Sequence, residues 1–162
     1  MRSALIAFLI CAFAATLEGW AAGGGVKARL AQLRLPRFSP PFAVWIGIGL
    51  GYYVMCFFIL WRLLATPLAS SAGRLALALL GAVMLANAAW GVFFFRRRNL
   101  RVSFLAFPPY TFLALALDAV LLSVDRVAAL ILLPYLVYLI YATWWGYRVW
   151  RLNESAPLGP AA

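Results

Sequence analysis

The segment LLPYLVYLIYATWWGYRVWRLN, residues 132–153, decides how this chain is read. It sets one proline, four tyrosines and three tryptophans inside an apolar run long enough to cross a bilayer, which takes about 20 residues. At about 100° per residue, Tyr135, Tyr138, Ala142, Trp145 and Val149 share one helix face. An aromatic face broken by one small residue suits a flat apolar ligand, and packing against neighbouring helices is the competing reading of each ring. Leu139 is expected on the lipid side.

Composition agrees with a membrane setting. Of 162 residues, 67% are hydrophobic and 11% charged, and the mean hydropathy is +0.96, whereas soluble domains are about half apolar and a quarter charged. The formal net charge of +10 does not argue for nucleic acid, because the 14 basic residues stand almost entirely at the ends of apolar runs. Histidine is absent, which removes histidine-based metal sites. The two cysteines, Cys11 and Cys56, lie in different apolar segments and make a disulfide framework improbable.

Five spans are predicted, over about 4–22, 42–61, 75–95, 104–124 and 127–150, giving an all-α integral membrane protein with a polar tail over 154–162. The first run, with its basic start and Ala12-Phe13-Ala14, also imitates a secretory signal peptide. Residues 23–41 form a basic connector whose three prolines predict a stiff, extended lid instead of a helix. In the second span Trp45, Tyr52 and Cys56 share a face, and Gly47 with Gly51 makes a GxxxG pair permitting close helix approach. In the third, Asn87 is about 12 residues in, roughly 18 Å deep, so its amide needs a partner in a neighbouring helix or a ligand. Ala78, Ala82 and Ala86 form a small-residue stripe suited to tight packing or a dimer seam. Asp118 sits six residues from the end of the fourth span, and a structural hydrogen bond is favoured over a proton relay for it.

Topology follows from charge. With five spans, Arg2, Arg62, Arg74 and Arg126 fall on one side. Lys27, Arg29, Arg34, Arg37, Arg96, Arg97, Arg98, Arg101, Arg148 and Arg151 fall on the other. The positive-inside rule then puts the N-terminus outside and the C-terminus, long loop and arginine cluster in the cytoplasm.

Several motifs carry a family resemblance. PYLVY (134–138) followed by Ala142-Thr143 and Leu152-Asn153, LRLPRFSPP (33–41), Trp45, and ANAAWGVFFF (86–95) resemble the patterns of the tryptophan-rich sensory protein/translocator protein (TspO/MBR) family. Tyr138 replaces a usual tryptophan, and Trp145-Gly146 replaces an internal Leu-Asn pair. The resemblance implies a bundle of five transmembrane helices, often dimeric, that binds porphyrins and other flat hydrophobic ligands, with no cofactor required for the fold. It extends to tetrapyrrole handling and, for parts of the family, light-driven porphyrin degradation. On these grounds Trp45, Tyr52, Asn87, Trp90, Tyr138, Ala142 and Trp145 are the expected ligand-binding residues, with Arg34 or Arg37 at the mouth to meet propionates. The expected partners are a hydrophobic small molecule, the lipid bilayer and a second copy, and not nucleic acid. The expected location is a bacterial cell membrane. No nucleophile–base pair is visible, so ordinary enzymatic chemistry is not expected. The alternative is a small transporter or scaffold without a tetrapyrrole site, although no internal repeat supports transport.

Overall fold

Each long apolar run is converted into a helix because hydrocarbon leaves the backbone no other hydrogen-bond partner. In the computed structural model, which describes residues 1–65 and 70–154, the helices are α1 (Arg2–Ala22), α2 (Val26–Ala31), α3 (Phe42–Ala65), α4 (Ser71–Gly91), α5 (Leu100–Leu105), α6 (Phe107–Val124) and α7 (Arg126–Glu154). A π-helical turn, Val92–Arg96, extends α4. Among the described residues, five stretches are long and apolar enough to cross a membrane: Arg2–Ala22, Phe42–Ala65, Ser71–Arg96, Leu100–Val124 and Arg126–Glu154. The chain is an integral, multi-pass, all-α membrane protein. The tail expected over 154–162 lies, apart from Glu154, outside the described residues, as does Pro67.

Polar residues mark where helices start. Ser70 Oγ accepts from the Gly73 amide at the head of α4, and Asn99 Oδ1 accepts from the Val102 amide at the head of α5. Asp125 Oδ1 accepts from the amides of Val127 and Ala128, opening α7. The same carboxylate takes two hydrogen bonds from Arg62 of α3, at 2.7 and 3.0 Å. Arg62 therefore holds Asp125 below the ordinary carboxylate range, with the helix amides helping and burial opposing.

The spans close into a ring. α1 packs on α3, α3 on α7, α7 on α6, α6 on α4, and α4 back on α1. One half of this ring is solid: Cys56, Ile59, Leu63, Leu80, Val83, Leu117, Leu121 and Leu132 are almost wholly buried together. The other half holds a smaller cluster around Phe94, Trp145 and Val149, onto which Leu30 and Leu33 of the connector pack. The outer surface is apolar, with Phe8, Phe13, Phe112, Leu130 and Ile140 exposed, the inversion expected when lipid is the solvent.

Several expectations are corrected. The connector is not extended throughout: residues 26–31 form α2, because its three prolines all lie after that point, at 36, 40 and 41. The approach that Gly47 and Gly51 permit is not used within the described residues: both are exposed, and a Cβ at either would meet nothing within 4 Å. The close approach occurs instead at Gly146, where a Cβ would come within 2.6 Å of the Phe107 ring. Leu139 does not face lipid: it is 1% exposed, because it lies four residues after Tyr135 and three before Ala142, inside the same inward stripe. Cys11 and Cys56 are both free.

Asp118 Oδ1 does not make the structural hydrogen bond expected of this side chain: it is buried with no donor among the described residues. A buried unsatisfied acceptor costs about 1–3 kcal/mol. Asp118→Leu, similar in size and apolar, should accordingly raise the unfolding temperature in detergent. A lowered one would show that the acid has a stabilising partner.

Candidate functional site

Two adjoining hollows occupy the aromatic half of the ring. One, of about 310 Å3, is walled by α4, α6 and α7 and lined by Trp45, Asn87, Trp90, Tyr138, Ala142 and Trp145 among others. The second, of about 490 Å3, opens between α1 and α3. Each lies within the usual range of about 300–1,000 Å3 for small-molecule sites. Trp45, Asn87, Trp90, Tyr135, Tyr138 and Trp145 line both, so these residues stand at the junction of the two spaces.

Six of the seven residues expected at the site therefore border one hollow. The seventh, Tyr52, lines only the second and forms its inner end, with its ring 5.2 Å from that of Tyr135. The Trp45 and Trp145 rings are 4.8 Å apart and tilted, and Trp90 stacks on Phe94 at 4.9 Å. The π-helical turn inserts one residue per turn, and Phe93, Phe94 and Phe95 all reach the hollows as a result. Gly146 allows the Phe107 ring to sit directly against α7 while lining the first hollow. That contact gives a steric reason for glycine at this position.

Polar groups are few and specific. Asn87 Nδ2 donates to Glu18 Oε2 at 2.9 Å, and the Tyr53 hydroxyl donates to the same oxygen. The partner that Asn87 needs is thus a helix neighbour, while its side chain still borders both spaces. Glu18 lines the second hollow and was not among the residues singled out from sequence. Trp90 Nε1 donates to the Ser103 carbonyl at 3.2 Å, tying α4 to α5. Trp45 Nε1 is buried with no acceptor among the described residues, an unused donor in the shared wall. Tyr110 and Tyr135 hydroxyls meet at 2.6 Å behind it.

The connector is fastened over this end. Trp145 Nε1 donates to Ser39 Oγ at 2.9 Å, and the Tyr141 hydroxyl donates to the Phe38 carbonyl at 2.9 Å. Asn153 forms a reciprocal pair with the backbone of Arg34, accepting from its N–H and donating to its carbonyl, both at 3.0 Å. Neither Arg34 nor Arg37 lines either hollow, and both are exposed on the connector.

A sequence model of the TspO/MBR family matches residues 7–151. The chain belongs to the TspO/MBR family. Comparison with curated proteins finds no match. The family match spans all five membrane helices, including α1 and α6, where the TspO/MBR motifs are weakest in the sequence.

The fastening gives a prediction. Asn153→Ala removes both bonds to Arg34, each worth about 1 kcal/mol net, and should loosen the connector. Release of a ligand bound beneath it should become several-fold faster in stopped-flow measurements, with helical content unchanged. An unaltered release rate would make the connector a plain link.

Proposed function

We propose that this TspO/MBR protein is a membrane receptor or sensor for a tetrapyrrole or similarly flat hydrophobic ligand, held between the aromatic walls of the two adjoining hollows. The observation that carries the reading is the shared wall: five large rings, the Asn87 amide and the unused Trp45 N–H border both spaces at once. A planar ligand across that junction gains face and edge contacts worth about 0.5–1.5 kcal/mol per aromatic pair beyond area burial. The Trp45 donor and the Tyr138 hydroxyl supply orientation. The tetrapyrrole is the ligand in this reading, and no resident cofactor is invoked. The reading retains a homodimer, as the family resemblance implied, to be checked by crosslinking in membranes.

Titration of the purified protein with protoporphyrin IX, followed by tryptophan fluorescence, tests it. Saturable quenching at one ligand per chain is expected, because Trp45, Trp90 and Trp145 would all lie beside the macrocycle. Quenching that rises linearly without saturation would favour a transporter or scaffold lacking a tetrapyrrole site.

A further inference from the structure

Outside the aromatic hollows, three arginines converge where two spanning helices end. Ala22 closes α1, and Arg96 closes the π-helical turn. Between them, covered by α2, is a hollow of about 280 Å3 lined by Arg29, Arg96 and Arg98, with Gln32 beside them. Arg29 is 8% exposed, and its Nε is buried without an acceptor among the described residues. Arg98 has φ 54°, a left-handed conformation that is strained for a non-glycine residue. Burial, and then the neighbouring Arg98 charge, lower the Arg29 pKa from the ordinary arginine value.

The chain has four acidic side chains, and each is placed elsewhere. Glu18 binds Tyr53 and Asn87, Asp125 binds Arg62, and Glu154 binds Arg151. Asp118 lies in α6, with its Oδ1 unpartnered. A buried guanidinium beside a second cation, with no acid to balance them, is unfavourable unless an anion joins them. The hollow also adjoins the larger site, since Ala22 and Phe95 line both.

We infer that the hollow walled by Arg29, Arg96 and Arg98 is a binding site for one oxyanion, the acidic group of an amphiphile whose apolar body lies in the membrane. Guanidinium groups pair with phosphate and carboxylate oxygens through parallel N–H donors, so both chemistries fit. Two sources offer them at this level. One is the phosphate of an acidic phospholipid in the surrounding leaflet. The other is a carboxylate on the edge of a flat ligand in the adjoining cleft, and this source alone rests on the function proposed above.

Two arms separate the sources, both using the full chain and the variants Arg29→Gln and Arg98→Asn. Asparagine tolerates the left-handed backbone and removes the charge, so the second variant keeps the test open if the first fails to fold. In the first arm, protein reconstituted in phosphatidylglycerol and phosphatidylcholine is extracted and weighed by native mass spectrometry. One retained phosphatidylglycerol per chain, falling about tenfold in the variants, supports the lipid source. In the second arm, protoporphyrin IX and its dimethyl ester are titrated in phosphatidylcholine nanodiscs. A roughly tenfold preference for the free acid, lost in the variants, supports the ligand source. The inference is overturned if neither lipid retention nor the acid-over-ester preference differs between wild type and variants. Equal binding of acid and ester would count against the ligand source while leaving the aromatic cavity standing. Failure of both porphyrins to bind would count against the cavity, and the lipid arm would then decide the oxyanion site alone.

Discussion

Ala142→Leu is expected to weaken protoporphyrin binding at least tenfold, about 1.4 kcal/mol, with little change in unfolding temperature. Ala142 is 4% exposed and lies in the inward stripe of α7, between Tyr138 and Trp145, where it lines the first hollow. Adding side-chain carbons to a filled core normally costs about 1–3 kcal/mol through strain. Here the added carbons enter open space, so the cost falls on the ligand. Tyr138→Leu probes chemistry instead of shape: it keeps apolar bulk and removes the ring, and a several-fold loss is expected. Trp90 is a poorer probe than Tyr138, because it also anchors α5 through Ser103. Ile140, 74% exposed on the opposite side of α7, provides the control, and Ile140→Ala should bind normally. Should Ala142→Leu fold and bind porphyrin with wild-type affinity, these rings are packing residues and the shared-cavity reading fails.

What the sequence made legible was periodic, and what it concealed was paired across distance. The face of α7 could be read because Tyr135, Tyr138, Ala142 and Trp145 repeat at helical spacing and every one lines a hollow. The stripe is wider than those residues alone suggest, which is why Leu139 falls inside it. Trp45 sits on α3 and Asn87 with Trp90 on α4, and the family motifs and the charge-based topology place all three at one end of the bundle. Glu18 had no such signal. A lone acid four residues from the end of α1 reads as an interfacial charge, and its partners are 35 and 69 positions away. The arginines at 96 and 98 likewise read as a topology anchor until α2 folds back and brings Arg29 against them. The π-helical turn follows no hydropathy pattern, so only the backbone reveals why three consecutive phenylalanines face inward.

The pairing at Glu18 leads to the other large effect. Glu18→Leu should lower stability by about 2 kcal/mol, because the Asn87 amide and the Tyr53 hydroxyl would both lose their acceptor. That figure lies at the low end of about 1–3 kcal/mol per stranded group, since both side chains are only half-buried and border a cleft that water can reach. Glu18→Gln, which keeps a carbonyl oxygen, should recover most of the loss. The binding readout moves separately: an Asn87 freed from α1 can turn toward the ligand, so porphyrin affinity should change in Glu18→Leu even where the protein remains folded. A double variant isolates the mechanism. Removing the Glu18 acceptor and the Asn87 donor together leaves only the Tyr53 hydroxyl stranded, so adding Asn87→Leu to Glu18→Leu should cost less than the two single effects combined. Denaturant or thermal unfolding of the four proteins in one detergent measures this coupling. Strict additivity, or a Glu18→Leu protein as stable as wild type, would show that the hydrogen bonds joining α1, α3 and α4 do not hold this end of the ring together.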